Sequence, residues 1–203
     1  GARDYRQLRE LNAQTETKFT VNHQLRYHPR ILDFLGHVQA GEIGQVRCID
    51  ASSVLPMSGQ GVHVLDLMFA FNGYAAAETI FGGASGYDDI NGTHPSPRTA
   101  AWMITFENGV RAMLQCGEGA PVFEPGPNWS HKRIAVYGTR GFLHWRMNAW
   151  ERAVAGGEIE TGEKSYQDED TVGQANLVNA IFDWIDDDSA RAPTDLETSL
   201  DEW

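Results

Sequence analysis

The run TAAWMITFENGVRAMLQC, residues 99–116, constrains this chain more than any other stretch. Two apolar, β-favouring segments meet at Asn108-Gly109, a dipeptide suited to a tight reversal of direction. The spacing predicts an antiparallel hairpin with a type I′ turn, both central residues at positive φ. Trp102, Met103, Ile104, Phe106, Met113 and Leu114 leave both faces of this ribbon partly apolar. Helices over both faces, or helices over one and a second copy of the chain against the other, fit that pattern equally.

The remaining elements can be read around the hairpin. Arg133 to Tyr137 and Phe142 to Met147 flank Gly138-Thr139-Arg140-Gly141 and predict a second hairpin. Val46 to Val54 and Glu78 to Phe81 read as strands, and Lys18 to Asn22 as a short one. Tyr5, Leu8 and Leu11 mark an amphipathic helix over residues 3–14. Pro29 opens another, with Ile31, Leu32, Phe34, Leu35 and Val38 as its stripe and Gly41 and Gly44 after its end. A third begins within SGQGVHVLDLMFAFNG, residues 58–73, and a fourth carries Val172, Leu177, Ile181, Trp184 and Ile185, capped by Asp170 or Thr171. Hairpin-linked strands with helices at intervals imply an α+β fold: a largely antiparallel open sheet with helices packed on one face.

Composition excludes several classes. No apolar run reaches the roughly 18 to 20 residues of a membrane span, and GARDYRQLREL has no hydrophobic secretory core, so a cytoplasmic protein is expected. A formal charge of −12 argues against nucleic acid as a partner. Cys48 and Cys116 form no CxxC and are expected as reduced thiols. HExxH and GxSxG are absent, and Gly59-Gln60-Gly61-Val62-His63-Val64 holds only the first half of a dinucleotide fingerprint, without the required βαβ context. Neither a metal site nor a dinucleotide site is expected on this chain.

Three segments carry groups suited to chemistry. His63 falls in the first turn of its helix, where the dipole disfavours protonation and keeps a neutral imidazole able to accept a proton; a core histidine satisfying buried groups fits equally. Gly59 and Gly61 would let a ligand approach the backbone around Gln60. Arg26, Tyr27 and His28, between a strand end and a helix start, are either ligand contacts or a solvated connection. Trp129 and His131 lie in the Pro/Gly-rich loop 118–131 and would either stack on and hydrogen-bond a sugar or anchor their own loop. His94, in Asn91-Gly92-Thr93-His94-Pro95, reads as a turn residue.

NHQLRYHP, AGEIGQV, GVHVLDL with FNG after it, FENGVRAML and IAVYGTRGFL, in this order, resemble the C-terminal domain of the glucose-fructose oxidoreductase, inositol dehydrogenase and MocA family. The resemblance covers nearly the whole chain. It implies an NAD(P)-dependent oxidoreductase acting on a CH–OH group of a sugar or polyol, with the cofactor site mainly in an N-terminal Rossmann domain that is not in this sequence. Residues 1–24 would be the last helix and crossover strand of that domain, and residues 25–203 the substrate-binding and oligomerisation domain. The resemblance makes His63 the acid–base residue, with Arg26, Tyr27, His28, Gln60, Trp129 and His131 as substrate contacts. It further implies a homo-oligomer formed through the sheet, and a chain inactive without its cofactor domain. Two departures stand out: Gly59 occupies the place where many members carry an aspartate, and the linker from the preceding strand is short; the Glu-Lys-Pro lysine belongs to the missing half. A non-catalytic carbohydrate-binding or assembly module on the same fold is the alternative that Gly59 favours.

Overall fold

A computed structural model describes residues 2–90, 94–123, 125–163, 165–190, 192–194 and 199. Asn91-Gly92-Thr93 lies outside the described residues. Four α-helices occur among them: α1 (Ala2–Gln14), α2 (Pro29–Gln39), α3 (Val62–Phe71) and α4 (Tyr166–Asp186). Ten strands accompany them: β1 (Val46–Ser53), β2 (Ala77–Ser85), β3 (Asp88–Ile90), β4 (His94–Ser96), β5 (Thr99–Phe106), β6 (Arg111–Gly117), β7 (Lys132–Gly138), β8 (Gly141–Arg146), β9 (Ala149–Val154) and β10 (Glu160–Glu163). Eight of these form one open sheet in the order β10-β9-β8-β7-β1-β6-β5-β2. Within it β1 and β6 are parallel and every other neighbouring pair is antiparallel.

Helices α2 and α3 lie on one face of the sheet, as the expected α+β fold requires. α3 packs on β1 and β7, and α2 on β8. Val64, Leu67, Met68, Ile49, Ala51, Ile134 and Val136 share that buried layer. On the opposite face Phe81, Met103 and Met113, which pair across three neighbouring strands, are 79%, 59% and 39% exposed. No described helix is long and apolar enough to cross a membrane. Cys48 and Cys116 are both free.

Local chemistry explains why two distant motifs occur together. Gly44 (φ +75°) ends the turn after α2, and a Cβ there would lie 2.2 Å from Thr139 Oγ1. A Cβ on Gly138 would meet the Ile43 carbonyl oxygen at 2.1 Å. The AGEIGQV turn and the YGTRG turn therefore press backbone to backbone, with the Arg140 N–H donating to the Ile43 carbonyl at 2.8 Å and the Thr139 N–H to the Gln45 carbonyl at 2.9 Å.

Several sequence expectations need correction. Asn108 does not adopt positive φ; only Gly109 does (+82°). The Gly109 N–H donates to the Phe106 carbonyl at 2.8 Å, so the reversal is a three-residue loop closed by a left-handed glycine. Lys18 to Asn22 forms no strand: Thr20 alone makes a single bridge, and its hydroxyl donates to the Thr194 carbonyl at 2.9 Å. His94 belongs to β4 and not to a turn. α4 starts at Tyr166, before Asp170, with Ser165 at its N-cap position. The third helix opens as a π-helical turn, Met57–Gly61, before α3 proper.

Candidate functional site

The carboxyl ends of β1 and β6 and the first residue of β7 meet at one end of the sheet, with Ser53 opposite both Cys116 and Lys132. The π-helical turn starts four residues after β1 and closes over that end. A Cβ on Gly61 would lie 2.6 Å from Cys116 Sγ and 2.8 Å from Met57 Sδ. The room that this glycine clears is thus filled by protein. It allows the turn to seat against β6, and the expectation that Gly61 opens the backbone to a ligand is corrected.

His63, the second residue of α3, is half-buried. Its Nδ1 is buried and has no hydrogen-bond partner among the described residues. Burial, then the neighbouring His23 and Lys132, lower its pKa to about 4, while Asp66 and Asp170 pull more weakly the other way. The imidazole is neutral at pH 7, as expected, but burial is the leading cause. His23, 5% exposed, meets it edge-on with ring centroids 5.7 Å apart.

Lys132 completes the cluster. It donates to Gln60 Oε1 at 2.6 Å, and its ammonium lies 5.3 Å from the centroid of the Tyr166 ring. The Tyr166 hydroxyl donates to Asp170 at 2.8 Å. Burial holds the Lys132 pKa at about 8, against an upward pull from Asp170. Two turns of α4 and the π-helical turn thus converge on one buried cation.

The other sequence candidates divide. Gln60 lies in the cluster as the acceptor for Lys132. Trp129, 42% exposed, stands on a short 3₁₀ turn (Asn128–Ser130) with its ring 6.5 Å from that of Tyr166, at the cluster's edge. His28 is buried, stacks on Tyr166 at 5.6 Å and pairs with Glu169 at 3.4 Å. Arg26 is bound to Asp66: its Nε donates to both carboxylate oxygens at 2.8 Å, Nη2 donates to Oδ1 as well, and the guanidinium covers the Tyr74 ring at 5.0 Å. The Tyr27 hydroxyl donates to the Pro193 carbonyl at 2.9 Å. His131 holds its own loop, its Nδ1 accepting the Phe123 N–H at 3.4 Å and its Nε2 lying 3.4 Å from the Gly126 carbonyl. The geometry gives Arg26, Tyr27 and His131 tasks within the protein.

Sequence reading missed His23, Lys132 and Tyr166. A lysine opening a strand resembles any surface cation, and only the fold shows it enclosed.

No group of three His, Cys, Asp or Glu side chains among the described residues is placed to hold a metal. These residues do not fit a dinucleotide either: the one Gly-x-Gly segment is packed on Cys116 and Met57, with no room for a pyrophosphate.

The open sheet with helices on one face and a polar cluster at the ends of its parallel pair defines a fold class already known from solved structures. The chain is similar, over its full length and at 18% identity, to an oxidoreductase from Sinorhizobium meliloti (TM-score 0.74, 64% of that chain covered). It is similar at 13% identity over 98% of its length to an inositol dehydrogenase homolog from Azotobacter vinelandii complexed with NADH and myo-inositol (TM-score 0.73, 63% of that chain). A super-repressor mutant of Gal80p from Saccharomyces cerevisiae shares the fold at 13% identity over 97% of this chain (TM-score 0.72, 63% of that chain). The chain therefore spans less than two thirds of the length of these proteins. No protein-family model matches it, and neither does any curated protein.

Proposed function

We propose that this chain is the substrate-binding domain of an NAD(P)-dependent oxidoreductase acting on a CH–OH group of a sugar or polyol. The observation that carries the reading is the neutral, half-buried His63 beside Lys132 and His23, at the end of a sheet whose fold is shared with an NADH- and myo-inositol-bound homolog. NAD or NADP, held by a Rossmann domain to which residues 1–24 contribute the end, would supply the hydride acceptor. The work of residues 25–203 is to bind and to move a proton. His63 accepts the hydroxyl proton from the carbon being oxidised, because a neutral imidazole is the cluster's available base. Gln60 and Trp129 contact neighbouring hydroxyls. In this reading the chain by itself turns nothing over.

The test uses the complete gene product containing these residues, incubated with NAD or NADP and a panel of aldoses, alditols and cyclitols. Growth of the reduced-nicotinamide absorbance with at least one of them is expected. Sugar binding without any hydride transfer would favour the second reading, a non-catalytic binding or assembly module, which Gly59 and the fold shared with Gal80p support.

The exposed apolar patch around Phe81, Met103 and Met113 is the surface on which a second copy would dock. Light scattering should then give at least twice 22.5 kDa, and a Phe81→Asp variant should shift toward the single-chain mass. A wild-type reading of one chain mass would remove oligomerisation from the proposal.

A further inference from the structure

Lys132 is 4% exposed, yet among the described residues no carboxylate makes ion-pair contact with it. An ammonium has three N–H donors. Gln60 Oε1 takes one, the Tyr166 ring covers the charge on another side, and no further acceptor is present among the described residues. Asp170 is occupied by the Tyr166 hydroxyl. Beside this cation other polar groups are buried without partners among the described residues: the hydroxyl of Ser53, its cross-strand neighbour, and His63 Nδ1. Buried polar groups are ordinarily paired, and a buried charge without a counter-ion is costly to keep. A buried cation with no carboxylate in contact among the described residues, its charge offset only from a distance by Asp170, beside an unmet hydroxyl and an unmet imidazole nitrogen, has the chemistry of a receptor for a polyhydroxylated anion.

We propose that Lys132 anchors a carboxylate of the substrate, so that the ligand is a sugar acid and not a neutral sugar. The inference rests on the sugar or polyol reading above and narrows it. A carboxylate suits the site better than a phosphate, because a phosphate dianion calls for several converging donors and the nearby Arg26 is spent on Asp66. The anchor also acts on His63. Lys132 is a positive neighbour that helps hold the imidazole low, with Asp66 and Asp170 opposing it, while burial keeps His23 itself neutral at pH 7. A carboxylate on Lys132 offsets that charge and raises the basicity of His63 when substrate arrives.

The test is ligand-observed NMR titration of the complete gene product containing these residues with D-glucuronate, its neutral amide D-glucuronamide, myo-inositol and glucose 6-phosphate. D-glucuronate is expected to bind at least about tenfold more tightly than the amide, the size of effect expected for a hydrogen bond between charged groups. Lys132→Met should abolish that preference and Lys132→Arg should keep most of it. Lys132→Met is expected to melt no lower than wild type, since it removes a buried charge and keeps the apolar stem. Equal binding of glucuronate and glucuronamide overturns the carboxylate anchor and leaves the sugar reading standing, as does a preference that survives in Lys132→Met. Tighter binding of glucose 6-phosphate overturns the choice of carboxylate. Failure of all four ligands to bind removes the sugar site itself.

Discussion

Replacing His63 with alanine in the complete gene product is expected to lower kcat by about 10²- to 10⁴-fold, the usual worth of a positioned acid–base group. KM should move little, since the proton transfer is made in the transition state and not in binding. A merely structural role would change stability without this split. The same substitution has a second signature. Unfolded His63 takes its proton near the ordinary 6.5, whereas in the fold it does so only at about 4. Between those values the unfolded chain holds more protons, so this contribution to stability is complete above pH 6.5 and is lost as the pH falls toward 4. At about 1.4 kcal/mol per pKa unit, discounted for partial exposure, the loss is about 2 to 3 kcal/mol. Denaturant melts across that window should be flatter for His63→Ala than for wild type. Unchanged turnover would remove His63 from the mechanism and strengthen the binding-module reading.

How far the sequence foretells this molecule depends on how local each signal is. The hairpin at Asn108-Gly109 and the β7–β8 reversal are legible because neighbouring residues make them. Even there the turn type is not, since a three-residue loop needs only Gly109 in the left-handed region. β9 and β10 leave no clear pattern: Ala149–Val154 mixes charged and apolar residues with every side chain but one half-buried, so no alternation marks a face. The start of α4 is easily misplaced because its acidic first turn, with Asp168 and Glu169, looks like a loop. At the site, His63 is legible from its place in the first helical turn. The partners that set its behaviour are not, because His23, Lys132 and Asp170 come from three distant segments. Arg26 is legible as polar but not as half of a buried ion pair, since its carboxylate lies 40 residues further on.

That ion pair carries the largest stability effect. Asp66 is fully buried and Arg26 is 7% exposed, so the pair has given up most of its hydration and depends on mutual satisfaction. Asp66→Ala leaves a guanidinium enclosed between α3 and the 3₁₀ turn Gln24–Tyr27, facing the Tyr74 ring and without its carboxylate. The expected loss is about 3 to 5 kcal/mol, the usual cost of orphaning one member of a buried pair. For a chain of this size that lowers Tm by about 6 to 20 °C. Removing both charges tells a different story: Arg26→Met with Asp66→Leu should recover most of the loss, because an apolar pair of similar volume leaves nothing unpaired. The pair ties α3, and with it His63, to the turn that carries His23. Asp66→Ala should therefore also displace the His63 ring resonances in an NMR spectrum taken well below the lowered Tm. A loss under about 1 kcal/mol would mean the pair behaves like a solvated surface bridge. His63 would then owe its position to α3 packing alone.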